Sequence, residues 1–385
     1  MTPDDAASPQ PSGALQPTSS QHGALTQDAA PSPVSAHSVR PVTGAVPTAP
    51  PKVPWVAVVV YTVLAMALAW AVTLPLWLGD GLADPAFGWT TPLMMYTPTV
   101  AALIVTFFIV KPKHKARYLG LTPFKPVWRS IILILAWPVI FGIVSVLAAL
   151  LTAAFGLAEL GYSTEALEPL AEQAGIPVDM LVLLQFVTIP LIVVQATIFA
   201  FGEELGWRGF LVPALAPLGF WKMSLISGVI WGVWHAPLIL LGYNFGRTDA
   251  LGVLMMIGFT FFVGVLLNWS RMWCRNVYVA AVGHGALNSV ISIGIIFLVF
   301  EEETPDGFLQ TAIGLPGWIV LAVLIALMAV TGFFGRRLPK PLVTEPRKVS
   351  VKFGQTQGVT PEWAQQAEQQ RAAQRADTGE IPRQT

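Results

Sequence analysis

Charged side chains are scarce in this chain. Only 11% of its 385 residues are charged, whereas 54% are hydrophobic. Soluble domains carry about 25% charged residues, so the composition excludes an ordinary soluble protein. Apolar runs of about 20 residues recur along the chain, and this pattern predicts a polytopic membrane protein built of α-helices. The formal net charge is zero and no basic, aromatic-rich stretch stands out, so we expect no nucleic-acid partner.

Cysteine is almost absent as well. Cys274 is the only one, which excludes an intrachain disulfide and a metal site built of cysteines. The HExxH spacing of many zinc peptidases is also missing. The first residues lack a basic stretch followed at once by an apolar core, so we expect no cleavable signal peptide. A catalytic site in this chain has to be assembled from residues far apart in the sequence.

Polar segments flank the apolar part of the chain. Residues 1–53, rich in Pro, Ser and Ala, lack the apolar area that offsets ordering entropy, and we predict a disordered cytoplasmic tail there. We predict a second polar cytoplasmic tail at residues 336–385. The membrane domain, 54–335, has a predicted catalytic core at about 180–300. Its eight predicted spans are 54–78, 91–110, 129–155, 180–202, 222–241, 250–269, 277–300 and 316–334.

Lysine and arginine are concentrated in alternate loops. The basic loops contain Lys111, Lys113, Lys115, Arg117, Lys125, Arg129, Arg208, Lys222, Arg271, Arg275, Arg336, Arg337 and Lys340. The opposite loops contain Asp80, Asp84, Glu159, Glu165, Glu168, Glu172, Asp179, Glu301, Glu302, Glu303 and Asp306, with Arg247 as their one basic residue. Basic loops stay in the cytoplasm, so both termini are predicted to be cytoplasmic in a multi-pass plasma-membrane protein.

The most unusual stretch is Gly202–Arg208, where three ionisable residues follow an apolar run from Leu181 to Phe201. A charge within a span is costly and marks a functional-site hypothesis. Glu204 and Arg208 are four residues apart on one helical face, in the order that favours an ion pair. Glu203 points about 100° away and has no local counter-charge, which favours a role as general base. The alternative is that both acids face cytoplasmic water at a helix end.

Two histidines lie in apolar segments of their own. His235 has Trp231 one turn before it, and His284 has Asn288 one turn after it. In the predicted topology both histidines fall at depths compatible with Glu203, in the cytoplasmic half of the membrane. Each of them alone could simply hydrogen-bond a neighbouring helix. Their coincidence with Glu203 favours one shared site.

These side chains suit the hydrolysis of an amide bond. Glu203 and His235 could activate a water molecule, while His284 and Asn288 donate to the developing oxyanion. Alternatively, Glu203, His235 and His284 could hold a Zn²⁺ whose bound water is the nucleophile. The residues alone leave both mechanisms open.

At these positions the chain resembles the CPBP family (also called the ABI family), which includes the type II CAAX prenyl endopeptidases. The resemblance rests on an EExxxR motif at Glu203–Arg208, on an aromatic residue four before a histidine (Trp231 and His235), and on His284 with Asn288. The family usually has Phe where this chain has Trp231. The resemblance covers about residues 180–300.

The resemblance implies an intramembrane peptidase, called a metalloprotease in the family, with a polar cavity open to the cytoplasmic side. It implies that Glu203 and His235 activate water, that His284 and Asn288 stabilise the oxyanion, and that Glu204 pairs with Arg208. The expected partners are the lipid bilayer and a membrane-protein or lipidated-peptide substrate. Two alternatives stay open: a bacteriocin self-immunity or interaction protein that kept the fold, and a proton-linked transporter.

Overall fold

The computed structural model describes residues 52–162, 164, 167–301 and 305–335, together with residues 50 and 338. The predicted tails, 1–53 and 336–385, therefore lie almost wholly outside the described residues. Within the described part the fold is all-α, as expected, apart from one pair of two-residue strands. The α-helices are α1 Trp55–Leu78, α2 Phe87–Met95, α3 Thr97–Val105, α4 Lys115–Tyr118, α5 Val127–Ala154, α6 Glu168–Ala174, α7 Val178–Glu204, α8 Val212–Leu215, α9 Phe220–Trp234, α10 Ala236–Ile239, α11 Ala250–Cys274, α12 Tyr278–Val290 and α13 Leu315–Val330. The strands are β1 Glu159–Leu160 and β2 Leu298–Val299.

Six stretches of the described chain are long and apolar enough to cross a membrane. They are Trp55–Leu78, Phe87–Val110, Val127–Ala154, Val178–Leu218, Ala250–Cys274 and Tyr278–Phe297. The predicted spans at 222–241 and 316–334 correspond to shorter helices, α9 with α10 and α13. The protein is thus a multi-pass membrane protein, and the total of eight crossings stays a prediction.

The helical path is interrupted on either side of the site. The chain stays helical after α7, but a π-helix, Leu205–Leu211, begins directly after Glu204. π-Helical turns inserted in α-helices are frequent at functional sites. A second interruption separates α9 from α10 at His235, two residues before Pro237, which has no backbone N–H to continue the helix.

The loops between the crossing helices form two sets at opposite ends of the membrane domain. At the end that carries the lysine- and arginine-rich loops, the backbone N–H of Val277 donates to the carbonyl oxygen of Gly120 at 3.0 Å. At the other end, β1 and β2 pair antiparallel, with Glu159 opposite Val299. We call the first the basic end and the second the acidic end. The loops rich in lysine and arginine lie at the first, and the loops rich in aspartate and glutamate lie at the second.

Two glycines beside His284 fix the position of α12. A Cβ atom on Gly285 would lie 2.6 Å from the backbone nitrogen of Thr197 in α7, and one on Gly283 would lie 2.8 Å from the Trp137 ring in α5. Side chains at these positions would force the helices apart, so the glycines permit close packing. The space left by their missing side chains is taken by protein rather than by a substrate.

Candidate active site

Glu203 is held by two tryptophans. It lies at the end of α7 with only 2% of its surface exposed. Its Oε2 accepts hydrogen bonds from the indole Nε1 of Trp231 at 2.8 Å and of Trp207 at 3.2 Å. Both donors are neutral, so these bonds orient the carboxylate without neutralising it. A buried carboxylate held in this way is suited to accept a proton from a reactant.

Glu204 has a different set of partners. Its Oε1 accepts from Arg208 Nη1 at 2.7 Å and from His284 Nδ1 at 3.0 Å, and all three side chains are buried. The ion pair expected from the i, i+4 spacing is therefore present. The contact with His284, 80 residues further along the chain, is an addition that helical spacing could not reveal. Glu204 thus ties α7 to α12 and orients the imidazole of His284.

Arg208 is supported by a polar cluster that sequence reasoning missed. Its Nε donates to Asn268 Oδ1 at 3.1 Å, and the Asn268 amide in turn donates to Ser224 Oγ at 3.2 Å and Ser227 Oγ at 3.1 Å. The guanidinium also lies 4.3 Å from the centre of the Trp231 ring. Asn268 is fully buried in the apolar helix α11, and this isolated polar residue was the signal available in the sequence.

His235 occupies the break between α9 and α10. Its Nδ1 lies 2.8 Å from the carbonyl oxygen of Trp231. A carbonyl oxygen only accepts, so Nδ1 carries the proton and Nε2 is the basic nitrogen of the ring. The ring is half-buried and lies 4.8 Å, centre to centre, from the Trp234 indole in an edge-to-face arrangement. The helix end and the two tryptophans therefore hold the imidazole in one orientation.

Five of the seven predicted site residues line one cavity of about 320 Å³. Glu203, Trp231, His235, His284 and Asn288 all contribute to its wall, so the structure brings together residues from α7, α9, α12 and the break after α9. Glu204 and Arg208 lie behind this wall. Asn288 is exposed within the cavity, whereas Glu203 and His284 are buried in its floor.

Tyr243 is a cavity residue that no sequence motif pointed to. It follows α10 and lines the same cavity as Glu203. Burial and, to a smaller extent, the negative charge of Glu203 raise the pKa of its phenol above the ordinary value, so Tyr243 stays protonated. A neutral phenol can donate a hydrogen bond to a polar group in the cavity.

The donor set does not form a ready metal site. Among the described residues, no group of three His, Cys, Asp or Glu side chains is placed to hold a metal ion. Glu203 Oε2 accepts from two indole N–H groups, and His284 Nδ1 is bonded to Glu204. A histidine bonded to a carboxylate through Nδ1 can still bind a metal through Nε2. The placement of the three side chains, and not their hydrogen bonds, is therefore what fails to provide a three-ligand group.

Comparison with known proteins gives a family match over this part of the chain. Residues 185–290 match the family model of the type II CAAX prenyl endopeptidases, described as Rce1-like. This region is therefore similar to the Rce1-like family. It contains every predicted site residue, from Glu203 to Asn288, so the resemblance drawn from the three motifs is confirmed at the level of the family.

Two curated relatives match parts of the chain. The chain is 27% identical to CAAX prenyl protease 2 of Methanococcus maripaludis over 116 residues. This match covers 25% of the chain and 42% of the relative. The chain is 29% identical to lysostaphin resistance protein A of Staphylococcus haemolyticus over 164 residues. This match covers 40% of the chain and 41% of the relative. The chain thus spans about two fifths of the length of each.

Proposed function

We propose that this Rce1-like protein is an intramembrane endopeptidase that hydrolyses a peptide bond in a membrane-associated polypeptide. One observation carries the proposal: two adjacent glutamates have been separated into different environments. Glu204 is paired with Arg208 and His284 behind the cavity wall, while Glu203 faces the cavity with neutral donors. This arrangement supplies a base at a site large enough for a peptide segment.

In the proposed reaction, Glu203 takes a proton from a water molecule whose oxygen attacks the scissile carbonyl carbon. The Nε2 of His235 is the second acceptor for the water. His284, holding its Nδ1–H on Glu204, presents Nε2–H when protonated, and with the Asn288 amide it donates to the oxyanion. When the C–N bond breaks, the proton held by Glu203 passes to the leaving amine, so the protein returns to its starting state.

The proposal is tested with a matched pair of variants, Glu203→Gln and Glu204→Gln. In Glu203→Gln the amide oxygen still accepts from the indoles, so we expect a folded protein whose hydrolysis of membrane-anchored peptides falls by roughly 10²–10⁴-fold. Glu204→Gln leaves Arg208 buried without its counter-charge, and we expect a loss of about 3–5 kcal/mol of stability. The parent and both variants are compared in detergent for cleavage and thermal unfolding. Cleavage by Glu203→Gln at the parent rate contradicts the role of Glu203.

Zinc is the part of the sequence-based hypothesis that the donor geometry does not support, and no step is routed through a metal. We expect stringently purified protein to contain zinc well below one ion per chain, with the same content in His235→Ala and His284→Ala. Elemental analysis checks this. One zinc per parent chain, lost in both variants, would restore the metal-bound water.

A second candidate is favoured by the name of one relative, lysostaphin resistance protein A. On that reading the chain would protect against an antibacterial agent by binding a partner, without proteolysis. Protection that persists in Glu203→Gln would favour this candidate, because the substitution removes the base but keeps the surface. The proton-linked transporter has no comparable observation on its side.

A further inference from the structure

The exposed part of the cavity's described wall lies toward one end of the membrane domain. Three of its lining residues are exposed: Asn244, Asn288 and Ser292. Asn244 lies in the loop between α10 and α11, and Ser292 follows the end of α12. That loop and the segment after α12 both belong to the acidic end, where the Tyr243 ring lies 5.7 Å from that of Phe87 at the start of α2. The mouth is thus at the acidic end.

Packed side chains close the other end. Behind Glu203, Trp207 and Arg208 are 1% and 2% exposed. The rings of Phe201 and Tyr278 stack with their centres 5.8 Å apart, and Tyr278 is the first residue of α12 at the basic end. Arg271 closes the gap further, since its Nε donates to the Arg208 carbonyl oxygen at 3.0 Å. These contacts separate Glu203 from the basic loops.

The charges of the loops indicate which end of the membrane domain faces the cytoplasm. Among the described residues, the acidic-end loops and helix starts carry Asp80, Asp84, Glu159, Glu168, Glu172, Asp179, Asp249, Glu301 and Asp306, against the single cation Arg247. Lysine and arginine fill the loops at the other end, and such loops stay in the cytoplasm. The mouth of the cavity then faces away from the cytoplasm, contrary to the cytoplasmic opening expected from the family resemblance.

We propose that this cavity is entered from the extracytoplasmic face of the membrane and receives a polypeptide segment presented on that face. The proposal rests on the proposed peptidase function for the nature of the occupant, but the direction of access rests on the geometry and charge alone. Glu203 lies at the far end of the 27-residue helix α7, which begins at the acidic end. A substrate therefore has to extend into the membrane to reach it.

The test uses the single native cysteine. Cys274 is fully buried, so Cys274→Ala provides a background for introducing one cysteine at a time. Ser292→Cys and Met95→Cys place a thiol in the cavity wall. Thr248→Cys reports the exposed acidic-end loop, and Lys113→Cys reports the basic end. Intact cells and permeabilised cells are treated with a charged, membrane-impermeant methanethiosulfonate reagent.

We expect Ser292→Cys, Met95→Cys and Thr248→Cys to be labelled in intact cells, and Lys113→Cys only after permeabilisation. Labelling of Ser292→Cys and Met95→Cys only after permeabilisation overturns the proposal, as does their failure to react under both conditions while the two loop cysteines react. Labelling does not require catalysis. A correct labelling pattern with no cleavage by any variant would therefore refute the peptidase function and leave the direction of access standing.

Discussion

One oxygen of Glu204 organises the polar interior. It accepts from Arg208 at 2.7 Å and from His284 at 3.0 Å, so a single carboxylate links α7 to the imidazole on α12. The pairing with Arg208 was predictable because residues four apart share a helical face. The contact with His284 was not, because it depends on how two helices pack and no local pattern encodes that. The same holds for Asn268, whose partners come from the π-helix after Glu204 and from α9.

Asn268 supplies the residue-scale prediction. Replacing it with alanine leaves the Nε–H of Arg208 buried without an acceptor, at a cost of about 1–3 kcal/mol. We expect Asn268→Ala to lower the thermal unfolding temperature in detergent, followed by tryptophan fluorescence. Ser270→Ala is the matched control, since Ser270 is buried on the same helix and donates only to the Leu267 carbonyl one turn earlier. Equal unfolding temperatures for the two variants would mean that the Arg208 cluster adds no stability.

At the scale of elements, the contact of α12 with α7 decides whether the site forms. Gly285 allows the approach, since a Cβ atom there would lie 2.6 Å from the Thr197 nitrogen. Gly285→Ala must move α12 and with it His284, so we expect hydrolysis to fall at least tenfold. Gly142→Ala in α5 is the control, because a Cβ atom at Gly142 meets nothing within 4 Å. Activity and unfolding temperature are measured for both variants, and parent-like cleavage by Gly285→Ala would contradict the role given to this contact.

The six long membrane helices were largely predictable, because each is a long apolar run. The interruptions were harder. Pro75, Pro138 and Pro190 stay inside helices, whereas the break at His235 precedes Pro237. A proline's effect depends on whether neighbouring helices satisfy the freed carbonyl, which the sequence does not state. The π-helix after Glu204 carries no proline and had no sequence signal that we could use.

At the scale of the whole molecule, the distribution of charge between the loops and the direction of the cavity combine into one orientation. The family resemblance alone suggested a mouth on the cytoplasmic side. The lining residues place the mouth at the end opposite the basic loops. The orientation of the cavity mouth depends on whether α9 and α10 together cross the membrane. The loop that contains Tyr243 and Asn244 follows α10, so this crossing decides on which side of the membrane that loop lies.

We expect that crossing to occur. α9 has 15 residues and α10 has four, and with His235 between them they extend about 30 Å at 1.5 Å per residue, the thickness of a hydrocarbon core. Fusing a reporter after Gly219 should therefore give cytoplasmic fluorescence, and fusing it after Thr248 should give extracytoplasmic phosphatase activity. A fusion after Pro112 is the control for the cytoplasmic side, and a fusion after Arg275 should report the same side if α9 and α10 cross. If the reporters after Gly219 and Thr248 lie on the same side, then α9 and α10 form a re-entrant hairpin. The molecule would then have fewer than eight crossings, and the cavity would open on the side of Gly219.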